Sequence, residues 1–158
     1  MRDGRRVRAG CEEDLDPVMV LERGTPEAPH WTRSEYAAIF DAVSPGIDIR
    51  RQMFVASREG EILGFAVGVV WGGEGDRGEL ESVVVAASER RQGLGRLLCG
   101  MVLDWCRGLG ARDVELEVRA ASEGATALYR SLGFVSVGLR RRYYTHPGDD
   151  ALLMRVRL

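Results

Sequence analysis

The stretch Glu79-Leu-Glu-Ser-Val-Val-Val-Ala-Ala-Ser-Glu-Arg-Arg-Gln-Gly-Leu-Gly-Arg96 decides how the rest of the chain is read. Its first half is a β-branched run with the composition of a strand. Its second half has the form Arg-x-x-Gly-x-Gly and leads straight into apolar residues of helical spacing from Leu94. A helix that starts behind a glycine loop offers free backbone N–H groups and the positive end of its dipole. Both suit a phosphate or pyrophosphate. Arg90, Arg91 and Arg96 add charge at the same place. Taken alone, the loop leaves a structural turn and a phosphate site equally open.

Working outward, the elements fall in a regular order. Arg5 to Ala9 reads as a short strand, and Glu12-Glu13-Asp14 starts a helix with Leu15, Val18, Met19 and Leu21 on one face and Pro17 in its first turn. Thr32 or Ser34 caps a second helix carrying Tyr36, Ile39, Phe40 and Val43, ended by Ser44-Pro45-Gly46. Met53 to Ala56 and Ile62 to Trp71 are strands joined by a turn at Arg58 to Glu61. With the strand of the opening stretch they make an antiparallel meander.

Beyond the glycine loop, Leu94, Leu97, Leu98, Met101, Val102, Trp105 and Leu109 form the expected apolar face of a helix closed by Gly108 and Gly110. Val114 to Val118 alternates as a strand. Strand, crossover helix and strand give a parallel pair, so the sheet is mixed. Ala120 to Leu132 is a helix closed by Gly133, and Phe134 to Tyr144 and Ala151 to Leu158 are two final strands across Thr145-His146-Pro147-Gly148-Asp149. The expectation is one α/β (α+β) domain over residues 1–158, a mixed but mostly antiparallel sheet of about seven strands flanked by about four helices.

Composition narrows the function classes. At 158 residues, 45% hydrophobic and 29% charged, the chain supports one core. A net charge of −2 argues against a charge-driven binder of nucleic acid or membrane surfaces. No apolar run approaches the roughly 20 residues of a membrane span. The Arg-rich start leads into Cys-Glu-Glu-Asp and not into an apolar segment, so a cytoplasmic location is expected. All 22 basic residues are arginine, and neither lysine nor asparagine occurs.

Cys11, Cys99 and Cys106 have no Cys-x-x-Cys spacing, and the last two lie about 10 Å apart along one helix, too far to bridge. Buried structural thiols are expected. With His30 and His146 as the only histidines, no metal site is expected. A Walker loop is excluded because no Gly-Lys-Ser/Thr follows, and two glycines behind antiparallel strands do not suit a dinucleotide fold.

Together, the element order, Arg-Arg-Gln-Gly-Leu-Gly-Arg at 90–96, Leu-Glu-Val-Arg at 116–119 and Ala-Leu-Tyr-Arg-Ser-Leu-Gly-Phe at 127–134 resemble the GNAT superfamily of acetyl-CoA-dependent N-acetyltransferases. Arg-Arg-Arg-Tyr-Tyr at 140–144, Asp-Asp-Ala-Leu-Leu-Met at 149–154 and Pro-His-Trp-Thr at 29–32 are similar to its ribosomal-protein alanine N-acetyltransferase subfamily, RimI. The likeness is strongest from about Leu80 to Met154 and weaker before Trp31.

The resemblance implies a role for each matching residue. Val83, Val84 and Val85 would hold the pantetheine arm of acetyl-CoA along their backbone, with a bulged, splayed strand end near Ala86 and Ala87 and an oxyanion-stabilising N–H near Val85. Arg91, Gln92, Gly93, Leu94, Gly95 and Arg96 would cradle the pyrophosphate, with both glycines allowing close approach and the Leu94 side chain turned to the core. Glu117 would be the general base and Tyr129 the general acid. Ser122 stands where the subfamily usually has asparagine, offering one hydroxyl in place of an amide.

The implied acceptor is the α-amine of a protein N-terminus, such as that of a ribosomal protein. An α-amine, with a pKa of about 7.7–8.0, is far less protonated at neutral pH than lysine at about 10.4. Trp31, Tyr143 and Tyr144 either line the peptide groove or pack the core edge. Arg140, Arg141 and Arg142 either attract an acidic peptide or form a solvated strand end. A small-molecule amine as acceptor and a non-catalytic acetyl-CoA-binding module are the alternative functions. The oligomeric state is left between monomer and weak dimer.

Overall fold

The computed structural model describes residues 4–26, 28–41, 46, 48–72, 76–145 and 148–158. Seven strands form one sheet in the order β1-β2-β3-β4-β5-β7-β6. They are β1 (Arg6–Ala9), β2 (Ile49–Arg58), β3 (Glu61–Trp71), β4 (Arg77–Val85), β5 (Asp113–Arg119), β6 (Val135–Thr145) and β7 (Gly148–Arg157). The helices are α1 (Leu15–Arg23), α2 (Arg33–Ala37), α3 (Leu94–Gly108) and α4 (Glu123–Ser131). The expected mixed sheet and meander are present: β1 to β4 pair antiparallel in sequence, and β4 and β5 are the parallel pair. The last strand starts at Gly148, ahead of the expected Ala151, and Arg58 pairs with Glu61 across the expected turn. His146 and Pro147 lie outside the described residues, as do Val43, Ser44 and Pro45.

Alternation in the strands sorts side chains into two layers. One layer holds Ala66, Val70 and Leu80 under α3, with Leu116, Phe134 and Met154. The other holds Met53, Val55, Phe65, Val67 and Val84 against α1 and α2. Among the described residues, no helix is long and apolar enough to cross a membrane.

Local chemistry explains the helix starts. Arg8 binds Asp14 with two hydrogen bonds of 2.7 and 2.8 Å, and Asp14 accepts the Cys11 N–H at 2.9 Å at the turn that leads into α1. Thr32 caps α2 in a capping box with Glu35: the Glu35 N–H donates to Thr32 Oγ1 at 3.2 Å and the Thr32 N–H to Glu35 Oε2 at 2.6 Å. The helix tightens into a 3₁₀ turn over Ala38–Phe40, so Ile39 and Phe40 sit beyond its α-helical part.

Two expectations are corrected. The buried stripe of α3 is Leu94, Leu98, Cys99, Val102, Leu103 and Cys106, whereas Leu97 is 38% exposed. The periodicity is helical as expected, but the stripe is centred so that the two small thiols face the sheet and Leu97 points away. Burial raises the pKa of both thiols, to about 12 for Cys99 and about 11 for Cys106, which keeps them unreactive. Cys11, by contrast, is exposed, because it lies at the turn ahead of the first helix.

Candidate functional site

The site opens where β4 leaves β5. The two strands pair only at Arg77 with Asp113, Gly78 with Val114 and Glu79 with Glu115. Just beyond, the β3–β4 register shifts: Val67 pairs with Ser82 and Gly68 with Leu80, which leaves Glu81 as the extra residue. A bulge bends its strand and increases the local twist. The expected bulge therefore lies at Glu81, not near Ala86 and Ala87. The end of β4 stays fixed to β3, since the Ala86 N–H donates to Leu63 O at 2.8 Å. From Leu80 to Val85 the edge of β4 that faces β5 has no β5 partner among the described residues.

A cavity of about 830 Å³ fills this gap. Val83, Glu117, Ser122, Tyr129, Trp31, Tyr143 and Tyr144 all line it, so seven of the residues singled out from the sequence are brought together. Val84 does not line it; its side chain is buried in the α1 layer. Val85 and residues 91–96 lie outside the lining as well.

Those residues form a separate corner at the start of α3. The Leu97 N–H makes the first bond into the helix, to Gly93 O at 3.1 Å, so the preceding N–H groups are those a helix leaves without internal partners. Gly93 has φ +81°, the left-handed region that a glycine adopts without strain, and no atom lies within 4 Å of where its Cβ would be. A glycine is thus called for here by the backbone conformation itself. A Cβ on Gly95 would meet Leu128 of α4 at 3.3 Å, so this second glycine also serves helix packing. Arg96 donates to Ser131 Oγ at 2.7 Å, tying α3 to α4, and Arg90 donates to Val85 O at 3.2 Å. Leu94 is 2% exposed, in the core as expected.

In the cavity, three carboxylates converge from two strands: Glu79 and Glu81 of β4 and Glu117 of β5. Glu117 lies 3.3 Å from the Arg140 guanidinium and is close enough to Tyr143 to raise its phenol pKa. It is not a solvated strand carboxylate. Glu81 pairs with Arg51 at 3.2 Å. Glu79 is pushed up to about 7, first by burial and then by the charges of Glu81, Glu117 and Glu115. Sequence reasoning gave Glu79 no role. The only local signal was the Glu-Leu-Glu alternation, which puts both acids on one face of β4.

Tyr129 packs its ring edge-on against Phe134 at 5.9 Å between centroids. Burial, with smaller contributions from Cys99 and Tyr144, raises its phenol well above the usual range, so the hydroxyl keeps its proton at neutral pH. Ser122 stands at the N-cap position of α4 but makes no side-chain cap; its carbonyl takes the Thr126 hydroxyl at 2.8 Å. The hydroxyl of Ser122 is therefore not used in capping.

Trp31 packs on the α1 layer and also lines the cavity. Its ring lies 5.2 Å from that of Tyr36. Tyr143 is 49% exposed and sits 5.1 Å from Tyr144. The Arg119 guanidinium lies over Tyr144 at 4.2 Å. Of the three arginines at 140–142, Arg140 is exposed but pairs with Glu117.

The family model for the acetyltransferase (GNAT) family matches residues 16–134. An N-alpha-acetyltransferase RimI of Mycobacterium tuberculosis is 47% identical over 77 residues; the match covers 49% of this chain and 47% of that one, about half of each. The [ribosomal protein bS18]-alanine N-acetyltransferase of Escherichia coli (strain K12) is 37% identical over 103 residues, 64% of this chain and 68% of that one. The crystal structure of the ribosomal-protein-S18-alanine N-acetyltransferase from Escherichia coli superposes with a TM-score of 0.77 at 27% identity, over 97% of this chain and 93% of that one.

Proposed function

Because the chain belongs to the acetyltransferase (GNAT) family, we propose that it moves an acetyl group from acetyl-CoA to the α-amine of a protein N-terminus, as its RimI-named relatives imply. The observation that carries this reading is the cavity between β4 and β5, where Glu117 and Tyr129 share one space with an aromatic wall.

The residues present fit the acyl donor. The unpaired edge of β4 at Val83 to Val85 suits an extended arm with amide groups, which can bond there as an added strand does. The free N–H groups at the start of α3, over Arg91, Gln92, Gly93, Leu94, Gly95 and Arg96, suit a diphosphate. Ser122, whose hydroxyl is uncommitted to capping, lines the same cavity. When bound, acetyl-CoA supplies the acyl group as a thioester.

The chain's own residues then have two proton tasks. An attacking amine must be uncharged, and Glu117 accepts its proton, with Glu79 as a neighbouring acceptor that titrates near neutrality. A departing thiolate must be protonated, and Tyr129 holds a proton for it. A base of modest strength favours an α-amine over lysine, since about one α-amine in ten is uncharged at neutral pH against about one lysine in a thousand. Trp31, Tyr143 and Tyr144 supply apolar faces for the first residues of the peptide.

The test is CoA release by the purified protein given acetyl-CoA and a panel of acceptors: Ala- and Ser-starting peptides, an N-terminally blocked lysine peptide, a polyamine and an aminoglycoside. Turnover of the free-amine peptides is expected, with the product acetylated at its first nitrogen. Turnover of a small amine with the peptides unmodified overturns the proposal.

A further inference from the structure

Glu22 occupies an unfavourable place for a carboxylate. It is 1% exposed and lies in the last turn of α1, at the negative end of the helix dipole. A buried carboxylate persists only where donors surround it. Tyr36, fully buried on α2, donates its hydroxyl to Glu22 Oε2. Burial pushes its carboxyl above the usual range, opposed only in part by His30 and by the backbone N–H groups of His30 and Trp31, and Oε1 has no hydrogen-bond partner among the described residues.

Those two N–H groups belong to the loop between α1 and α2, which forms one wall of the cavity through Thr25, Ala28, His30 and Trp31. The loop holds a costly shape. His30 has φ 57°, the left-handed region, at a cost of about 1 kcal/mol for a residue with a Cβ. Its ring Nε2 is 2.9 Å from Thr25 O, and Thr25 Oγ1 donates to Leu21 O at 3.1 Å. Behind Trp31, the ring of Tyr36 meets Phe65 of β3 edge-on at 6.1 Å between centroids. Glu22 and Tyr36 thus join the loop to the sheet.

We infer that Glu22 is a positioning residue for the acceptor: it holds Tyr36, whose ring lies 5.2 Å from that of Trp31, and so fixes the His30–Trp31 segment and sets where the Trp31 wall of the cavity stands. This rests on the reading of that cavity as the acceptor's place. Glu22 does not line the cavity. Its removal should act on the acceptor and leave the acyl donor alone.

The variant Glu22→Gln keeps the volume and replaces one carboxyl oxygen by an amide group. Hydrogen exchange followed by mass spectrometry should show segment 24–32 exchanging about tenfold faster, with β4 and α3 unchanged. With an Ala-starting peptide, KM for the peptide should rise about fivefold while KM for acetyl-CoA stays within about twofold. Tyr36→Phe removes the donor to Oε2 and gives the same two readings if Glu22→Gln does not fold. Unchanged exchange in segment 24–32 overturns the inference, and so does faster exchange with an unchanged peptide KM. Exchange is measured without turnover, so a wild-type protein inactive on the peptide defeats the proposed function while the exchange result still judges Glu22.

Discussion

Arg140 crosses from the edge strand β6 over β7 to bring its guanidinium 3.3 Å from the carboxylate of Glu117 on β5. The crossing has room because the residue paired with Arg140 in β7 is Ala151, which also pairs with Arg119 of β5. With Glu117 as the proposed base, an acceptor amine would meet the Arg140 guanidinium at the same carboxylate. Arg140 is 57% exposed, so its attraction is modest, about 0.5–1 kcal/mol. Arg140→Gln removes a competing cation. The expected result is a peptide KM lowered about two- to fivefold at low salt, with acetyl-CoA binding unchanged. Steady-state kinetics at two salt concentrations check it, and a raised peptide KM would show that Arg140 assists the acceptor instead.

Tyr129→Phe retains the ring contact with Phe134 and removes only the hydroxyl. If that hydroxyl protonates the leaving thiolate, kcat should fall about 10²-fold or more, with binding of acetyl-CoA unchanged by calorimetry. The loss should be smaller with an acetyl thioester whose thiol has a lower pKa, because a better leaving group needs less protonation. An unchanged kcat removes Tyr129 from this role.

What the sequence disclosed, and what it hid, follows from how local each feature is. The glycine loop, the period-two strands and the helix that starts at Leu94 depend on neighbours along the chain, and they stand where expected. The placing of Leu97 outside the core depends on how α3 rolls on the sheet, which the apolar spacing defines only to within about one residue's rotation. The bulge at Glu81 depends on register with β3. The Arg140–Glu117 pair depends on the order β5-β7-β6, which places the last strand inside its predecessor. Glu79 needed both: its perturbation comes from burial and from Glu81, Glu117 and Glu115, which converge only in the folded sheet.

Glu79 makes stability depend on pH in a defined direction. Its carboxyl titrates at about 7 in the folded chain against an ordinary 4.5, so between these values the folded state binds more protons than the unfolded. Stability is then full below about pH 4.5 and falls as pH rises through 7. After allowance for its partial exposure the effect is about 2 kcal/mol. Denaturant unfolding from pH 5 to 8 should show this decline in the wild type and a flatter profile in Glu79→Gln. The same variant should flatten the acid limb of kcat/KM if Glu79 takes part in proton acceptance. Identical stability profiles would show that the carboxyl is ionised throughout this range.

Asp14 has the opposite sign. The Arg8 guanidinium holds its carboxyl at about 2, below the usual 3.8, with the Cys11 N–H as a further donor. A depressed folded pKa contributes stability that is present above about 3.8 and lost as pH falls through 2. The gap corresponds to about 2 kcal/mol. Asp14→Asn should therefore lower stability by about this amount at pH 7, where the wild-type carboxylate is charged, and the two proteins should converge near pH 2. Arg8→Gln should reproduce most of the loss, since it removes the larger of the two donors, while leaving the Cys11 N–H bond in place. A difference between wild type and Asp14→Asn that stays constant from pH 7 to 2 would assign the loss to packing at the start of α1 and not to the charge.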